Sequence, residues 1–202
     1  MRSGMEHEHH HRGSSSRMLT YALVVTAAFA LVELAGGVLS GSLALLSDAG
    51  HMFTDVLALG LSLGASLVAS RQATERHTFG FLRAEILVAL VNGIALVGIS
   101  LLVVHEALGR LSDPTPVDAD LMLIVAVVGM AANLLGMTLL HRGSKENLNV
   151  RGAFLHMMGD LLSSFGVIAA ALLIRFFGWQ EADALIGLAI AAPEPGWQQR
   201  RD

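Results

Sequence analysis

Long apolar runs separated by short polar breaks dominate this chain. The runs near 18–40, 43–69, 84–109, 119–140 and 152–177 are each long enough to cross a hydrocarbon core of about 30 Å at ~1.5 Å of helical rise per residue. Period-two alternation is absent, which argues against an outer-membrane barrel. The first run is too long for a secretion signal and contains Glu33, so it reads as a retained helix. A sixth run starts near Ala182, but "ALIGLAIAA" meets "PEPG" after about ten residues, roughly half a crossing. Pro193 and Pro195 cannot donate backbone hydrogen bonds, and a proline inside a helix costs ~3 kcal/mol. A short, distorted sixth helix is expected. The pattern predicts an all-α membrane protein, with a six-helix transmembrane bundle over residues 18–192. A disordered polar tail precedes it at 1–17, and a short cytosolic end follows at 193–202.

Composition sharpens this. The 202 residues are 53% hydrophobic and 15% charged, with a mean hydropathy of +0.60, whereas a soluble domain carries roughly a quarter charged residues. Cysteine is absent, so disulfides and thiolate metal ligands are excluded. Of the 13 basic residues, only Arg110 and Arg175 fall in breaks on one side of the predicted membrane. The remainder (Arg2, Arg12, Arg17, Arg71, Arg76, Arg83, Arg142, Lys145, Arg151, Arg200 and Arg201) fall on the other. That asymmetry predicts an even number of crossings with both termini in the cytosol. The breaks are short. "SDPTPVD" is an outer turn set by two prolines, and "HRGSKENLNVRG" is an inner link. The lipid bilayer is the expected surrounding, and no nucleic-acid partner is expected.

The chemistry lies in the exceptions to apolarity. In "LLSDAGHMFTD" His51 precedes Asp55 by four residues, and in "LHMMGD" His156 precedes Asp160 by four. Residues i and i+4 share one helix face, so each span presents a histidine and a carboxylate together. The two spans run in opposite directions, and helical rise sets Asp55 and Asp160 within ~10–15 Å of the inner boundary. Two imidazoles and two carboxylates form a closed tetrahedral set suited to Zn²⁺. Metal binding requires neutral histidine and ionised carboxylate, so protons and a divalent cation compete for the set. Exposed alternately to each side, such a site is the working part of an antiporter.

The bland reading of a single polar residue at depth is a hydrogen bond between helices. The repeated spacing on separate spans favours function, the default for ionisable groups in a membrane. Asp48 reads as a helix cap or a cation-attracting mouth residue, and as an accessory ligand second. Glu33, Asn92 and Asn133 read as interhelical hydrogen-bonding groups, with a proton or water path second. Gly60 and Gly64 form a small-xxx-small pair explained by packing. His105 and Glu106 sit where solvent reaches. His7, His9, His10 and His11, among Glu6 and Glu8, suit loose zinc capture at the inner mouth.

With those residues in view, the stretches "LVELAGGVLSGSLALLSDAGHMFTDVLALG", "RHTFGFLRAEILVALVNGIALV" and "NLNVRGAFLHMMGDLLSSFGVIAAALLI" resemble cation diffusion facilitators, of the bacterial histidine-rich zinc exporter type. The resemblance runs from about Tyr21 to Ile190. It implies a six-helix bundle, usually homodimeric, exchanging cytosolic zinc for protons across the bacterial inner membrane. It also implies His51, Asp55, His156 and Asp160 as transport ligands, with histidine in the first ligand position associated with zinc preference. Zn²⁺ is then cargo, and no cofactor is expected. Family members usually continue into a cytosolic metal-binding domain and carry a longer sixth helix, and "PEPGWQQRRD" departs from that pattern. His77 falls where some relatives bind a second metal, but Ser70 and Arg71 occupy the region of its carboxylate partner, so a polar loop residue is the default. The alternatives are a broader exporter of Cd²⁺ or Co²⁺ and an inactive or regulatory fragment. An enzyme is disfavoured, because four ligands leave no open position for water and no H-E-x-x-H motif is present.

Overall fold

The computed structural model describes the backbone of residues 8–69, 78–141 and 148–192, and side chains chiefly within 23–57, 90–135 and 157–192. The described residues form six helices and no sheet: α1 (Glu8–Ser40), α2 (Leu43–Ala69), α3 (Thr78–Ser112), α4 (Ala119–His141), α5 (Leu148–Phe177) and α6 (Glu181–Ala191). The all-α, six-helix expectation agrees with this. One expectation differs. Residues 8–17, read as disordered, continue α1 without a break. Once a helix is nucleated, each further residue adds a hydrogen bond at little cost, so an apolar span can extend into a polar flank.

Among the described residues, three helices carry stretches long and apolar enough to cross a membrane: Leu23–Ser40, Leu90–Ser112 and Met157–Phe177. Ala119–Leu135 is a shorter apolar stretch. α6 is short, as its prolines require: it has 11 residues, and Ala192, the residue before Pro193, is already extended at φ −65°, ψ 133°. Proline Cδ disfavours helical backbone in the residue before it, and this ends the helix.

The distribution of side chains is inverted relative to a soluble domain. Leu31, Leu39, Leu101, Leu102, Leu162 and Phe165 are exposed, while Glu33, Asp48, Asp160, Ser164 and Asp183 are buried. Apolar surface turned outward suits lipid, and polar groups are gathered where other helices can satisfy them.

Two tight turns and several close contacts fix how the helices run. Gly41 (φ 71°) turns α1 into α2, and Gly178 (φ 68°) turns α5 into α6; positive φ strains any residue with a Cβ. Ser42 bonds Asp183 and Ser47 bonds the Gly187 carbonyl, so α2 and α6 advance in parallel. α5 precedes α6 across the short turn at Gly178, so α5 runs antiparallel to α2. Among the described residues, α1 packs on α2 and α4, α4 on α5, and α6 fills the space between α2, α3 and α5, while α2 and α5 share a smaller contact. At Gly60 the helices do not close up, since among the described residues a Cβ there would meet nothing within 4 Å, while Gly64 lies outside the described side chains. The close approaches are at Gly36 against Val125, Gly37 against Leu46, and Gly187 against the backbone of Leu43 and Ala44.

Candidate metal centre

Among the described residues, a short hydrogen bond joins α2 to α5. Ser163 Oγ donates to Asp48 Oδ1 at 2.5 Å and also lies 3.1 Å from the Asp160 carbonyl oxygen. Because the helices are antiparallel, each step along α2 from this bond is matched by a step back along α5. His51, three residues past Asp48, therefore comes level with Asp160, three before Ser163. Asp55, seven residues on, comes level with the backbone of His156, seven before. The register crosses the pairs, each histidine position standing opposite the other helix's aspartate.

On α2, His51 Nε2 lies 3.9 Å from Asp55 Oδ2, with side chains 38% and 21% exposed respectively. The i,i+4 spacing brings them together as one helix turn dictates. Asp160 is buried. Thr54 Oγ1 donates to the His51 carbonyl at 2.7 Å, a local back-bond on the same turn. The His156 side chain lies outside the described residues, so the complete two-histidine, two-aspartate set is not seen together. Among the described residues, no three His, Cys, Asp or Glu side chains converge closely enough to hold a metal ion.

Asp48 corrects an expectation. α2 starts at Leu43, five residues earlier, and Asp48 is 2% exposed. It is therefore neither a cap nor a mouth residue but an acceptor joining α2 to α5. Glu33 also differs from its reading as an interhelical hydrogen-bonding group. It is 1% exposed, and its Oε2 has no hydrogen-bond partner among the described residues. Gly129 on α4 makes room for it, since a Cβ there would lie 2.8 Å from Glu33 Oε1. Asn92 Oδ1 likewise lacks a partner among the described residues. Glu33, Asp48 and Asp160 lie close enough to sense one another's charge, bringing carboxylates of three helices into one neighbourhood.

His105 and Glu106 are exposed as expected, and Glu106 pairs with Arg110 at 3.0 Å. His9, His10 and His11 lie on the backbone of α1, but their side chains, like all of His7 and His77, lie outside the described residues. Sequence reasoning passed over Asp183, which is buried and accepts three hydrogen bonds from the start of α2. The sequence offered little signal for it, because Asp183 stands at the polar start of the sixth apolar run, two residues after Glu181, with no histidine at i,i+4 spacing to mark it.

The cation efflux transmembrane domain family matches residues 19–192. The zinc transporter ZitB of Escherichia coli (strain K12) is 51% identical over 194 residues, covering 93% of this chain and 62% of that protein. The metal cation efflux system protein CzcD of Cupriavidus metallidurans is 44% identical over 187 residues, covering 93% and 59%. A cadmium, cobalt and zinc/H⁺–K⁺ antiporter of Bacillus subtilis is 42% identical over 184 residues, covering 90% and 59%. The chain thus spans about three-fifths of the length of these curated relatives.

Proposed function

The chain belongs to the cation efflux family, multi-pass membrane transporters rather than enzymes, and on that premise we propose that it exports Zn²⁺ from the cytosol in exchange for protons. His51, Asp55, His156 and Asp160 are the proposed ligands. The observation that carries this reading is the α2–α5 register. The Asp48–Ser163 bond joins the antiparallel helices three residues before His51 and three residues after Asp160, which supports a shared depth for the two His–Asp spacings.

The chemistry follows from the donor set. Two imidazole nitrogens and two carboxylate oxygens satisfy tetrahedral Zn²⁺ without water. Zinc arriving from the cytosol displaces protons from the donors, because only neutral imidazole and ionised carboxylate bind metal. Protons arriving from the far side then release the ion. The partial exposure of His51 and Asp55 beside buried Asp160 suits a site reached by solvent from one side at a time. In this reading both termini are cytosolic, the membrane is the bacterial inner membrane, and the working unit is a homodimer. The histidines at 7 and 9–11 gather zinc at the inner mouth, with Asp48 and His77 as accessory ligands at most.

Zinc uptake into reconstituted vesicles across an imposed pH gradient tests the proposal. Asp55→Ala and Asp160→Ala are each expected to abolish zinc-driven proton movement, and intact exchange in either variant contradicts it. A second reading, export of Cd²⁺ or Co²⁺ as well, is favoured by the similarity to the cadmium, cobalt and zinc/H⁺–K⁺ antiporter of Bacillus subtilis. Competition by cadmium in the same vesicles separates the two.

A further inference from the structure

The N-terminus of α2 is held by another helix. Ser42 is its own cap: its Oγ accepts from Leu45 N–H at 3.1 Å, and its carbonyl accepts the first intrahelical bond from Leu46 N–H at 3.3 Å. That leaves the amides of Leu43 and Ala44, which a helix cannot satisfy internally. Both donate to Asp183 of α6, Leu43 to Oδ2 at 2.6 Å and Ala44 to Oδ1 at 3.1 Å, and Ser42 Oγ donates to Oδ1 at 2.6 Å. Arg110 of α3 completes the arrangement. Its Nη1 donates to the Gly41 carbonyl at 2.6 Å and lies 3.5 Å from Asp183 Oδ2, while its Nε holds Glu106.

The charge of Asp183 has a physical reason. α2 and α6 run in parallel with their N-termini side by side, so two partial positive helix ends face one place, and a carboxylate between them is favoured by both. Asp183 is 1% exposed, so burial leaves no water at hand to replace a lost acceptor.

We infer that Asp183, clasped by Arg110, is a positioning residue for the proposed metal centre: it fixes the start of α2 and thereby the depth and rotation of His51 and Asp55. Those residues lie ~12 and ~18 Å along the same rigid helix. A turn released at residue 43 lets the whole rod slide or rotate, and metal ligands tolerate little of either. Gly187 strengthens the coupling, since it brings α6 against the backbone of Leu43 and Ala44. This inference rests on the transport reading above.

The test uses the full chain in lipid nanodiscs, with Co²⁺ absorption as the probe of tetrahedral coordination, Zn²⁺ competition as the probe of affinity, and amide hydrogen exchange as the probe of the clasp. Asp183→Asn is expected to speed exchange at Leu43 and Ala44 about tenfold or more. It should also weaken zinc binding about tenfold or more and alter the cobalt bands, with α4 exchange unchanged. Ser42→Ala, a milder lesion, is expected to move all three readouts in the same direction, and it decides the matter alone if Asp183→Asn does not assemble. Asp120→Asn, at an exposed ion pair with Arg175, is expected to move none. Faster exchange with unaltered cobalt bands and zinc affinity overturns the inference, as does unchanged exchange. A cobalt signal missing from the unmutated chain overturns the transport reading and this inference with it, so the two failures are told apart.

Discussion

Buried polar side chains are the most informative residues here, because each sits where a bilayer protein can least tolerate an unsatisfied group. Asp48 is the clearest case. It accepts from Ser163 at 2.5 Å and is almost wholly buried, so its acceptor has few other donors to turn to. Ser163→Ala removes the donor and strands the carboxylate, a loss of about 1–3 kcal/mol. Thermal unfolding in detergent is expected to show a lower Tm for Ser163→Ala and little change for Ser112→Ala, whose hydroxyl is exposed; equal Tm values would mean that the bond contributes nothing. Glu33 shows the complementary arrangement, in which a missing side chain, that of Gly129, is what admits the carboxylate.

Helix against helix, small residues decide the spacing. Lipid tails are as apolar as leucine, so close packing rather than hydrophobic expulsion holds such helices together. A Cβ on Gly37 would lie 2.9 Å from the Leu46 side chain and 3.0 Å from its backbone nitrogen, whereas one on Gly60 meets nothing. Gly37→Ala therefore forces α1 and α2 apart at a cost of about 1–3 kcal/mol, while Gly60→Ala leaves stability unchanged or slightly raised. Denaturation in mixed micelles is expected to separate the two variants in that order, and the reverse order would overturn the packing account. α6 shows the same logic at its ends. Its 11 residues cannot span a bilayer alone, yet Asp183 and Gly187 anchor it to α2, so packing compensates for length.

In the molecule as a whole, the two helices that carry the candidate ligands belong to different neighbourhoods. α2 is packed on α1, α3 and α6, and α5 chiefly on α4, and among the described residues the bond between Asp48 and Ser163 joins the two. The proposed orientation is testable because the chain has no cysteine. A single cysteine at Ser112 is expected to react with an impermeant maleimide from outside intact cells, and one at Ser144 only after permeabilisation. The opposite labelling pattern would invert the topology and with it the direction of transport.

Much was legible without coordinates. The apolar runs determined helix number and kind, because a bilayer leaves helices few alternatives. Pro193 determined where α6 stops, because a residue before proline resists helical backbone. The i,i+4 spacing determined that His51 and Asp55 share a face, which is local geometry. What the sequence could not decide depended on distance along the chain. Asp183 serves as cap to a helix about 140 residues away, and Asp48 is a bridge rather than a cap. Gly36, Gly37 and Gly187 make the close contacts where Gly60 does not. These roles depend on which helices lie side by side and in what register, and only the packed tertiary structure sets that.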